Sequence, residues 1–141
     1  MTDSEGMGTL TGMNNSNLTV ADPKADVRGR DVLDKNGEKI GDVDDLLIDD
    51  REGRVRLLKV GHGGFLGIGE EHFLVPVDAI TKIDEDHVHI DRDRTALSGV
   101  PGYDPKLAED PAYYGNIYGW WGLGPYWGPG YVYPGYPTYG L

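Results

Sequence analysis

The chain has 141 residues, a formal net charge of −11 and no cysteine. That length suits one domain with tails, and the missing thiols exclude disulfides and thiolate metal sites. The acidic balance disfavours nucleic-acid backbones and anionic membranes, whose binding relies on Lys and Arg. Residues 1–26 are small, polar and aperiodic, and predict a flexible N-terminal arm. The arm has neither a basic start nor a continuous apolar core, so it does not read as a secretory signal. The sequons at Asn14 and Asn17 then read as chance, and the expected compartment is cytoplasmic.

Strand signals begin after Val27. Val32 and Leu33 make a short strand, and Lys35-Asn36-Gly37-Glu38 predicts a two-residue type I′ hairpin turn, because Asn-Gly tolerates positive φ. A longer strand is expected over 39–48. A turn at 49–53 follows, with Gly53 in the left-handed region. The next strand runs over 55–60. Leu46-Leu47-Ile48 and Leu57-Leu58 place apolar groups on both faces, which suits a bulged barrel or strands covered on both sides.

Gly61 to Gly69 is a glycine-rich loop carrying Phe65, Leu66 and Ile68. It lacks the Gly-Lys-Ser/Thr ending of a phosphate loop, so its apolar residues read as plugs for a barrel end or for a partner's pocket. Glu71 to Val75 is a strand that Pro76 ends, and Val77-Asp78-Ala79 is a single turn leading to a strand at 80–83. A last strand covers 87–91. About six strands at this spacing predict an all-β fold, a barrel or sandwich with a core small enough to gain from homo-oligomerisation.

Residues 95–112 read as a linker interrupted by Pro101, Pro105 and Pro111. Beyond Asp110 no charged residue follows, and Trp120, Trp121, Trp127 and eight of the nine tyrosines stand among Gly and Pro. The 13 residues of the proline-free stretch 112–124 would make a helix of roughly 20 Å, short of the ~30 Å hydrocarbon core. The Gly/Pro density opposes helix and strand alike, so 113–141 predicts an irregular, adhesive tail, with a strap folded over the barrel as the alternative. Its rings suit weak contacts with a partner or a membrane surface, and Trp120, Trp121 and Trp127 join Phe65, Leu66 and Ile68 as candidate partner-binding residues.

Several residues suggest chemistry. His87, His89, Asp91 and Asp93 fall on one strand face by period-two alternation, a spacing that could ligate zinc or nickel. The plainer reading puts Val88 and Ile90 inward and the polar residues in water. The aspartates between 42 and 50 lack the glycine and glutamate positions of a calcium loop. Ser4, Ser16 and Ser98 have no neighbouring histidine, so nucleophilic catalysis has no foothold. No catalytic residue and no cofactor is expected.

The segment 27–94 resembles the PRC-barrel family. The resemblance rests on Val27-Arg28-Gly29-Arg30-Asp31-Val32, Gly41-Asp42-Val43-Asp44-Asp45 and Ile48-Asp49-Asp50. It continues through the Gly64–Gly69 loop and the close at Val75-Pro76-Val77-Asp78-Ala79-Ile80. It implies a small, strongly bent β-barrel of about six strands that docks on another protein and has no shared catalytic residues. Similar domains occur in the H subunit of the photosynthetic reaction centre and in a ribosome maturation factor. Residues 1–26 cannot supply the membrane span of the first, and there is no length for the second domain of the other. The expected function is therefore a non-enzymatic scaffold. A metal-responsive sensor on the 87–93 strand, a ribosome-assembly factor and a reaction-centre-like barrel without its helix are the alternatives.

Overall fold

Seven strands form one sheet in the computed structural model, which describes residues 7–15, 25–62 and 72–137. They are β1 (Leu10–Gly12), β2 (Asp31–Leu33), β3 (Lys39–Asp49), β4 (Val55–Gly61), β5 (His72–Pro76), β6 (Ile80–Ile83) and β7 (His87–Ile90). The order is β5-β4-β3-β2-β7-β6, with β1 pairing β3 off this path. All pairings are antiparallel except β2 with β7, so the sheet is mixed.

A three-residue 3-10 turn, Val77–Ala79, joins β5 to β6, the two ends of that path. A flat sheet would hold those ends roughly 24 Å apart. The four peptide steps from Pro76 to Ile80 reach about 14 Å at most. The sheet therefore has to curl, and register shifts in β2–β3, β3–β4 and β6–β7 supply local bends. Gly41 sits at one close approach: a Cβ there would run into the Gly61 carbonyl across the β3–β4 ladder.

Four expectations need correction. The hairpin between β2 and β3 is not type I′, because among its residues only Gly37 has positive φ, at 84°. Asp34 N–H donates to Glu38 O and Gly37 N–H to Asp34 O, the pattern of a longer loop closed by a left-handed glycine. The Asp34 side chain competes for the turn: Oδ1 accepts from Asn36 N–H and Glu38 N–H, and Oδ2 from Arg94 N–H.

Among the described residues the strands number seven because the N-terminal segment, read as a flexible arm, contributes β1. Its anchor is buried Asp45, whose Oδ1 accepts from Asn14 N–H at 3.0 Å. The segment 95–112 carries 3-10 turns at Arg94–Gly99 and Pro105–Leu107, and Leu97 and Val100 enter the core.

The tail is not irregular throughout. Helix α1 spans Pro111–Trp120, with Asp110 accepting Ala112 N–H as its N-cap and Pro111 in the first turn. Tyr114, Ile117, Tyr118 and Trp121 follow at helical spacing, and all four are buried. That face outweighs the cost of Gly115 and Gly119, about 1 kcal/mol each. The strap beyond α1 continues over the sheet, and Tyr126 and Tyr136 are also buried.

Candidate functional site

Two places gather side chains that a docking or ligand-binding protein could use. The first is the strap and its seat on β4. Trp121 is 1% exposed and its Nε1–H donates to Leu74 O at 3.1 Å, so this ring belongs to the core. It cannot offer the surface contact expected of it. Trp120 and Trp127 remain half-buried, packed edge-on against Trp121 and Tyr126 respectively. Tyr126 O–H donates to Met7 O, Tyr133 O–H to Val55 O and Tyr136 O–H to Ala25 O. The polar tips of the aromatic residues thus find backbone carbonyls, which lets so many of them lie against the sheet without orphaned hydroxyls at those three positions.

Beneath the strap lies a buried ion pair, Arg56 Nε to Asp49 Oδ2 at 2.6 Å, with both side chains at most 3% exposed. Asp49 also closes the β3–β4 turn, where its Oδ1 accepts from Arg51 N–H and Glu52 N–H while Gly53 turns left-handed as expected. The guanidinium lies 4.4 Å from the Tyr126 ring centroid, 5.3 Å from Tyr133 and 5.9 Å from Tyr131. Burial works against its charge, but the hydrogen bond and charge of Asp49 outweigh it and hold the Arg56 pKa above its ordinary value. Burial likewise pushes the Tyr133 hydroxyl up to about 12 and raises Tyr126, Tyr131 and Tyr136 further.

Along the outer side of the strap runs a groove of about 360 Å³, lined by Leu123, Pro125, Pro129, Tyr131 and Val132, with Asp78 at its polar end. Val132 is 81% exposed. Burial raises the Asp78 carboxyl above the usual carboxylate range.

The second place is the turn between β6 and β7. His87 and His89 face the same side of β7, as the strand period predicts, while Val88 and Ile90 are fully buried. The structure adds a residue that the one-strand reading missed. Asp84, in the preceding turn, places Oδ1 3.0 Å from His87 Nδ1 and Oδ2 3.2 Å from His89 Nε2. Only the turn geometry shows this, because Asp84 N–H donates to His87 O and folds the chain back. The Asp86 backbone N–H first of all, and then the two imidazoles, hold the Asp84 carboxyl well below its ordinary pKa.

Asp91 and Asp93 do not join this group. Asp91 pairs with Arg92 at 2.7 Å, and Asp93 caps the 94–99 turn through Ala96 N–H and Thr95 O–H. Phe65, Leu66 and Ile68 lie outside the described residues.

The family model of the PRC-barrel domain matches residues 23–97, more than half of the chain, and the chain belongs to that family. PRC-barrel domains are generally non-enzymatic protein-interaction modules. No curated protein matches the chain. Among the described residues, no helix is long and apolar enough to cross a membrane.

Proposed function

We propose that this protein is a non-enzymatic docking module that engages a partner protein through its C-terminal strap. The observation that carries the reading is the outer groove beside exposed Val132, flanked by Leu123, Pro125, Pro129 and Tyr131. Rings anchored underneath, by Trp121 to Leu74 and Tyr133 to Val55, hold this apolar surface in place before any partner arrives. Preorganisation of that kind lowers the ordering cost of binding. The partner's face is apolar with a basic residue, since the groove ends on Asp78 and the whole chain carries −11.

Affinity isolation with the full-length chain, from cells that make it, tests the reading. Val132→Asp is expected to lower the yield of a stoichiometric partner at least about tenfold, the order expected for losing an interface anchor. Glu52→Gln, at an exposed residue that does not line the groove, should leave it unchanged. Equal recovery by Val132→Asp and the unaltered chain would remove the strap from the interface.

A further inference from the structure

We propose that Asp84, His87 and His89 form a binding site for a divalent transition-metal ion of the zinc or nickel class. One ligand atom from each residue lies within 4.8 Å of the other two. Donors arranged tetrahedrally on a zinc ion stand roughly 3.4 Å apart, so small rotations of half-exposed side chains close the gap.

The carboxylate is divided in its work. Oδ1 accepts from Asp86 N–H at 3.0 Å and His87 N–H at 2.8 Å, which fixes the group in the turn. Oδ2 faces His89 and is the oxygen left to ligate. A backbone-held carboxylate of this kind is the outer support that ligating groups require. The two histidines are held equally well from below, since β7 is an interior strand paired with both β2 and β6. Asp31 stands opposite His87 in the β2–β7 register, and Glu85 and Asp86 occupy the same turn. Their negative charge favours a cation there.

Two imidazoles beside one carboxylate select zinc, nickel or copper over calcium and magnesium, which prefer all-oxygen sites. Three protein ligands leave a coordination position for water or for a donor from a bound partner. This inference stands independently of the strap, which lies on other elements.

Calorimetric titration of the full-length chain with zinc chloride, and separately with nickel and calcium chlorides, tests the site. One zinc per chain is expected, with little heat from calcium. His87→Ala, His89→Ala and Asp84→Asn should each weaken zinc at least about tenfold, as loss of one ligand of three demands. His72→Ala, which removes a histidine paired with Asp44 elsewhere on the sheet, and Asp91→Asn should leave affinity unchanged. Melting curves without metal confirm that each variant is folded, and Asp84→Asn keeps an oxygen for the turn amides. Absence of zinc and nickel binding, or binding that both histidine substitutions leave intact, overturns the site. So does an equal loss with His72→Ala.

Discussion

Asp49 does two jobs at once: it caps a turn through Oδ1 and neutralises Arg56 through Oδ2. Removing it leaves a buried guanidinium facing tyrosine rings with only the exposed Glu52, 3.5 Å from Nη2, as counter-charge. Asp49→Ala is therefore expected to cost about 3–5 kcal/mol, read from urea unfolding, the range for breaking one partner of a buried pair. Replacing both partners together, as Asp49→Leu with Arg56→Met, should cost clearly less, because no uncompensated charge remains. A double-mutant cycle that shows additive losses would mean that the pair is uncoupled. The acidic run 42–50 was visible in the sequence as a solvated margin, but the burial of Asp45 and Asp49 was not. Their partners, Asn14 in the 3-10 turn after β1 and Arg56 on β4, are distant in sequence or on another strand, and composition carries no information about such meetings.

At the scale of elements, the sequence carried the strands better than the helix. Turn residues punctuate the run from 31 to 90, and the 77–79 turn and Gly53 stood where the pattern put them. Helix α1 was legible too, in Asp110-Pro111 and in the spacing of Tyr114, Ile117, Tyr118 and Trp121. Glycine and proline density masks it, because the buried apolar face overrides their low helix propensity. Trp121 is the pin of that element. Trp121→Phe keeps most of the packing and strands the Leu74 carbonyl, so it should cost about 1–3 kcal/mol in chemical denaturation.

The strap also sets an alkaline limit. Its tyrosine pKa values are raised in the fold, so the stability they contribute is complete below pH ~10 and is lost as pH climbs through about 12. Tyrosinate absorbance should rise together with the loss of near-ultraviolet circular dichroism. Ionisation spread evenly around pH ~10, with the dichroism intact, would show the rings to be solvated.

At the scale of the whole molecule, one core includes side chains from the N-terminal segment, the curled sheet, the 94–100 turn and the strap. The family-matched span, 23–97, ends before α1. The family resemblance was readable from local motifs, whereas the closure of the core by the strap depends on contacts across more than a hundred residues, such as Tyr126 to Met7 and Tyr136 to Ala25. The cluster of Asp84, His87 and His89 shows the same division: its two histidines follow from strand periodicity, and its aspartate from the return of the chain at a turn.

The tyrosine that reaches back to Met7 gives the chain an unusual dependence on both of its extremities. A recombinant fragment cut to the matched span would lose the cover over Arg56 and the lid on Leu74 in a single excision. Such a fragment is expected to bind the dye ANS more strongly than the 141-residue chain does. Anyone expressing residues 23–97 by themselves would be isolating a piece of a fold whose core also takes in Tyr126 and Tyr136.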